Sequence, residues 1–179
     1  EPWIVAPVGA VTPARRSVDS RRQAMAERFI PMGQAVPVPS NGSLAYLNFS
    51  PQVFARMDRA IRYGRFDVLH VHEPATPIVS GLAVLMATCP VVGTFHAALE
   101  ESPFYDNFKP VAAAIIRRLD VRVAVSEAAR SFPQSRFPGS YRIIPNGVAV
   151  EKYAPALHAS KVRGRILFVG RAERRKGGG

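Results

Sequence analysis

The sequence has 179 residues, of which 47% are hydrophobic and 21% charged; this fits one folded domain, or a domain with part of another, and excludes a disordered chain. No apolar run reaches the roughly 18 residues that a membrane-spanning helix needs, and the single cysteine, Cys89, has no partner for an internal disulfide. The formal net charge of +11 is carried by arginine, with only Lys109, Lys152, Lys161 and Lys176 as lysines. The arginine pairs lack the interleaved aromatics on which a nucleic-acid module stacks bases, so nucleotide phosphates or anionic lipid heads fit better than DNA or RNA.

In chain order, "EPWIVAPVGA" has neither an initiator Met nor the basic start of a signal peptide. Its centre, "WIVAPVG", reads as a strand. "TPARRSVDSRRQAMAERF" contains a helical stretch. "AVPVPSNGSLAYLNFSP" is extended and proline-rich, with a turn at Asn41-Gly42. "PQVFARMDRAIRYGRF" predicts an amphipathic helix, with Val53, Phe54, Met57 and Ile61 on one face and Arg56, Arg59 and Arg62 on others. From Asp67 strands and helices alternate. "VLHVH" is a strand, and Thr76 before Pro77 predicts a capped start for the helix "IVSGLAVLMATC". "PVVGTFH" is the next strand. The helix "KPVAAAIIRRLD" ends on Arg117 and Arg118, where the helix dipole favours cations. "VRVAVS" is a strand, "SEAARSF" a short capped helix, "YRIIPNGV" a strand ending in a turn, and "RILFVG" a further strand. The last residues, "RRKGGG", stop where a helix is expected to begin, so a fragment cut at both ends is the expectation.

Continuous Val, Ile and Leu strands alternating with helices predict a parallel sheet covered on both faces, a doubly wound α/β fold of Rossmann-like type. In such sheets the ligand crevice lies beyond the carboxyl ends of the strands. His72-Glu73-Pro74, Thr94-Phe95-His96 and Ser126-Glu127 then end three strands along one rim.

His70 and His72 share a strand face because side chains alternate. With His96 or Glu73 as a third ligand they offer a zinc site, which makes a metallohydrolase the rival enzyme class; packed, hydrogen-bonded histidines are the plainer alternative. A basic domain that docks on anionic membranes is the non-enzymatic rival. An imidazole at the His96 strand end suits a hydrogen bond to a hydroxyl or to developing charge, and equally a satisfied, half-buried histidine. Asn41 has donors and acceptors for polyol hydroxyls, and is equally a plain Asn-Gly turn residue.

"FDVLHVHEP", "PVVGTFHA", "RVAVSEAAR", "IPNGVAVEKYAP" and "ILFVGRAERRKG" occur in the order seen in GT-B glycosyltransferases of family 4. With "VPVPSNGSLAYLNFSP" added, the chain most resembles the phosphatidylinositol mannosyltransferase branch, over roughly residues 3 to 177. The resemblance implies residues 1–145 as an acceptor-side Rossmann-like domain, 146–163 as a hinge and 164–179 as the start of a nucleotide-sugar-binding domain. It also implies retaining sugar transfer, with GDP-mannose as the typical donor, no metal and no bound cofactor. The acceptor would be a lipid or polyol such as phosphatidylinositol, and the seat cytoplasmic or at the inner face of the plasma membrane. The donor-binding glycine-rich loop should precede Glu1 and an E-x7-E segment should follow Gly179, so the fragment alone is expected to be inactive. Residue by residue, His96 matches the histidine facing the transferred sugar. Asn41, Gly42, Ser43, Glu73 and Thr94 fall on the acceptor side, and Gly170, Arg171 and Lys176 in the element that grips the donor diphosphate. Tyr46 and Asn48 stand where that branch commonly has arginines, which leaves simple polyols, thiol-precursor sugars and glycolipids open as acceptors.

Overall fold

The computed structural model describes residues 2–8, 26–40, 43–48, 50–76, 78–98, 103–155, 160 and 162–166. Most of the helical stretch expected within residues 12–29, the turn residues Asn41 and Gly42, and residues 167–179, with most of the expected strand RILFVG and with Gly170, Arg171 and Lys176, lie outside them.

Three sheets form. β1 (Ile4–Val8) pairs in parallel with β2 (Phe29–Gln34). β3 (Val36–Ser40) and β4 (Ser43–Leu47) make an antiparallel hairpin with Ser40 opposite Ser43, so the extended stretch folds back at the expected place. The third sheet is four-stranded, parallel throughout and ordered in sequence: β5 (Leu69–His72), β6 (Val91–Phe95), β7 (Val121–Ala124) and β8 (Arg142–Ile143). The expected α/β architecture is therefore present in residues 67–144, and the first half adds a parallel pair and a hairpin.

Among the described residues these helices connect and cover the strands: α1 (Gln52–Gly64), α2 (Val79–Met86), α3 (Pro103–Asn107), α4 (Lys109–Arg117) and α5 (Glu127–Arg136). On α1, Val53, Met57, Ala60 and Ile61 are buried, the spacing of one helical face. Phe54, expected on that face, is 60% exposed; it is one residue on from Val53, which turns it about 100° away from the core. α1 ends where Arg65 adopts a left-handed conformation, φ +45°. α2 corrects another expectation. It begins at Val79 after Ile78 (φ +77°), with no side-chain cap, because Thr76 is held in a tight turn: its N–H donates to the Glu73 carbonyl and its own carbonyl accepts from Gly81. α5 starts as the sequence predicts, with Ser126 Oγ accepting from the Ala129 N–H at 3.1 Å.

Arg118 does not simply end α4. Its Nε donates to the Val84 carbonyl at 3.0 Å and its Nη2 to the Ala87 carbonyl at 2.8 Å. It thereby supplies donors to carbonyls at the end of α2, of which that of Val84 also accepts from the Ala87 N–H, and joins two helices through one guanidinium.

β6 is the buried middle of the sheet. Val91, Gly93, Thr94 and Phe95 are all buried, and Met57, Val84, Ala112, Ile115, Ile116, Phe132 and Phe137 belong to the same core. The start of β6 is fixed by Asp120, whose Oδ2 accepts from the Val91 N–H at 2.7 Å. Tyr105 meets Phe132 edge-on, with ring centroids 5.2 Å apart. Each large side chain buried here contributes about 1.5–3 kcal/mol.

Gly93 lets the chain pack this closely. A Cβ there would lie 2.7 Å from Leu119 Cδ1 and 3.0 Å from Pro74 Cγ. Gly93→Ala is expected to lower stability by about 1–3 kcal/mol through overpacking, read as a lower urea midpoint with unchanged slope. A midpoint equal to the parent's would show that Leu119 yields freely.

Candidate active site

The carboxyl ends of β5 and β6 place five of the predicted residues together, His70, His72, Glu73, Thr94 and His96. Register sets this up: His70 lies opposite Val92 and His72 opposite Thr94, so His96, two residues beyond Thr94, lies on the same face. The result is a row of polar groups. His70 Nε2 hydrogen-bonds with Thr94 Oγ1 at 2.7 Å. The His70 and His72 rings lie 4.5 Å apart between centroids. His72 Nδ1 hydrogen-bonds with His96 Nε2 at 2.7 Å, their rings tilted by 37°. His72 is exposed and His96 half-buried, so neither is sealed in apolar packing.

Glu73 turns the row into a fixed structure. Its Oε1 accepts from the N–H groups of both His96 (2.6 Å) and Ala97 (2.7 Å). Its own N–H donates to the Thr94 carbonyl at 2.8 Å, and its carbonyl accepts from Thr76. To do this it adopts φ +50°, a left-handed conformation uncommon outside glycine and costly unless its surroundings enforce it. The next residue, Pro74, is fully buried and anchors the turn. Burial and the negative charge of Glu73 push the nearby Tyr105 hydroxyl well above its ordinary pKa, so it stays neutral.

Thr94 is 5% exposed, and its hydroxyl is engaged by His70, which places it beneath the rim. Ser126, expected at this rim, uses its hydroxyl to cap α5. Ser43 is in β4, and the described residues do not extend to Asn41, Gly42, Gly170, Arg171 or Lys176. Among the described residues no group of three or more His, Cys, Asp or Glu side chains is disposed to hold a metal ion; the facing nitrogens of His72 and His96 bond to each other.

Asn48 is a structural residue that the sequence reading treated as a change at the acceptor. It is 2% exposed; its Nδ2 donates to the Met32 carbonyl and its Oδ1 accepts from the Ser50 N–H at 2.7 Å. It fits only because Gly33 (φ +95°) has no side chain; a Cβ there would meet Asn48 Nδ2 at 2.6 Å. Asn48 thus ties β2 to the start of α1. The link between His72 and His96 was also missed, although period-two alternation along two parallel strands is the signal that finds it.

Two outcomes test this geometry. Glu73→Ala leaves two backbone N–H groups without their acceptor and is expected to cost about 1–3 kcal/mol, with faster amide exchange at His96 and Ala97; unchanged exchange there would deny the clamp. Burial first, then like-charge repulsion from His70 and His96, hold the His72 imidazole below its ordinary pKa of 6.5. The folded chain therefore takes up fewer protons than the unfolded one just below pH 6.5, so stability falls as pH drops through that value and levels off below the depressed pKa. His72→Phe, which cannot titrate, is expected to flatten this part of the urea-midpoint profile between about pH 7 and pH 5.

Residues 6–152 match the Glycosyltransferase Family 4 model. The chain is 37% identical over 162 residues to the phosphatidyl-myo-inositol mannosyltransferase of Mycobacterium tuberculosis, covering 88% of this chain and 43% of that protein. It is 40% identical over 149 residues to the enzyme of the same name from Mycolicibacterium smegmatis, covering 81% of this chain and 39% of the relative. A galactosyltransferase of Escherichia coli, named as acting on a GlcNAc-diphosphoundecaprenol, is 28% identical over 61% of this chain. The chain thus spans less than half the length of these curated relatives. The matched residues contain both β5 and β6 with their shared histidine rim, and the chain belongs to glycosyltransferase family 4.

Proposed function

We propose that the chain is the acceptor-side part of a retaining mannosyltransferase that moves mannose from GDP-mannose to a lipid or polyol acceptor such as phosphatidylinositol. The observation that carries this reading is His96, held by backbone and ring at the carboxyl edge of a parallel sheet, in a chain 37% identical to a mannosyltransferase with that acceptor in its name. Residues 1–145 form the acceptor-side domain, 146–163 the hinge and 164–179 the start of the donor-binding domain.

In the reaction, the bond from the anomeric carbon of mannose to the diphosphate oxygen breaks and a bond to an acceptor hydroxyl oxygen forms. The acceptor's proton leaves with the departing diphosphate. His96 hydrogen-bonds a hydroxyl of the transferred sugar and steadies charge as it develops. The second carboxylate oxygen of Glu73 and the turn Asn41-Gly42-Ser43 meet the acceptor, with Thr94 supporting from below. Gly170, Arg171 and Lys176 neutralise the diphosphate through cations and backbone N–H groups.

A seat on the inner face of the plasma membrane accords with α1. Phe54 and Tyr63 are 60% and 79% exposed on it, beside exposed Arg56, Arg59 and Arg62. Aromatic and cationic side chains together favour an anionic lipid interface. An open groove of about 620 Å³, lined in part by Trp3, Ile30, Pro31, Arg59, Tyr63 and Phe66, adjoins this helix. Among the described residues no helix is long and apolar enough to cross a membrane.

The test uses the full-length protein that carries this chain, with GDP-mannose or UDP-glucose as donor and phosphatidylinositol vesicles or free polyols as acceptor. Mannose is expected in the lipid or polyol product from GDP-mannose only. His96→Ala is expected to lower kcat by about 100-fold or more. No transfer from GDP-mannose, or full activity without the imidazole, overturns the reading.

A further inference from the structure

The reading above uses His96 but gives no task to the ring bonded to it. His72 Nδ1 and His96 Nε2 are 2.7 Å apart, and two nitrogens at that distance hold a single proton between them: one donates and the other accepts. Neutral imidazole favours its Nε2–H form. That form suits both rings here, because His96 Nε2–H then donates to the His72 Nδ1 lone pair. It leaves His96 Nδ1 without a proton and without a hydrogen bond among the described residues.

The surroundings restrict the pair further. The His96 main chain is fixed through its N–H by the Glu73 carboxylate, so rotation of the side chain is the freedom that remains. His72 removes it, and is itself held on the face of β5 by the His70 ring at 4.5 Å, which Thr94 Oγ1 steadies in turn. The Ser80 hydroxyl donates to the His72 carbonyl at 3.2 Å, fixing the strand end from the α2 side. Thr94, His70, His72 and His96 form one continuous line of contacts, and its last member is the residue assigned to the sugar.

We propose that His72 is a positioning residue that fixes His96 as the Nε2–H tautomer, so that His96 Nδ1 is presented as the acceptor for a hydroxyl of the transferred sugar or of the incoming acceptor. This rests on the sugar-transfer reading for its use, though not for its geometry. The donor nitrogen of His96 is consumed inside the protein. What the site offers the substrate is a lone pair, which selects a hydroxyl donor and rejects a group that can only accept.

The experiment takes the full-length protein with 15N-labelled histidine and compares the parent with His72→Phe and His72→Asn. Phe keeps a ring without an acceptor; Asn places Oδ1 near the former Nδ1. The parent is expected to show His96 as the Nε2–H tautomer. The Phe variant is expected to show a mixture of tautomers and a kcat lowered by about 10–100-fold through misplacement of His96, with the donor KM changed by less than about threefold. The Asn variant is expected to recover both the tautomer and most of the rate. A parent His96 carrying its proton on Nδ1, a Phe variant that keeps tautomer and rate, or Phe and Asn variants equally impaired would each overturn the proposal. The tautomer is read without sugar transfer, so its failure is distinct from failure of the assigned reaction.

Discussion

One carboxylate oxygen organises the rim. Glu73 Oε1 accepts from two consecutive N–H groups just past β6, while the residue's own backbone bonds back to Thr94. A charge-assisted pair of this kind is stronger than ordinary amide bonds, and it offsets the left-handed backbone that Glu73 must adopt. Without it, the chain leaving β6 would have two unpaired donors and no reason to turn where it does. The position of His96 follows from that turn, and the row of histidines from the position of His96.

The second half of the fold was readable because its strands are short, apolar and separated by amphipathic helices. β5, β6 and β7 fall where the Val and Ile runs do, and their parallel pairing follows from the helices between them. What escaped was decided by local competition. Thr76 has the right chemistry for a helix cap, but the Glu73 turn had already recruited its backbone. Arg118 sits at its own helix end, where dipole reasoning puts it, yet its guanidinium serves the carbonyls of a different helix. Both outcomes depend on tertiary proximity, which no period along the chain encodes.

The site was legible to a similar depth. Identifying His70, His72, Glu73, Thr94 and His96 needed only their positions at strand ends; assigning them partners needed the register between β5 and β6. Asn48 shows the opposite error. A departure from a relative's basic residue suggests altered ligand chemistry, whereas here the amide is sealed against Gly33 and Met32 and serves the scaffold. Comparing residue types without knowing burial attributes to the ligand what belongs to packing.

The guanidinium of Arg118 has a consequence for how the molecule meets changes in acidity. Its charge is effectively permanent in proteins, so its grip on the end of α2 persists while His72 gains or loses its proton. The two helices remain bolted together across a broad acid-to-alkaline range, and a protonation event at His72 can alter what the site offers a ligand without loosening the framework that carries it.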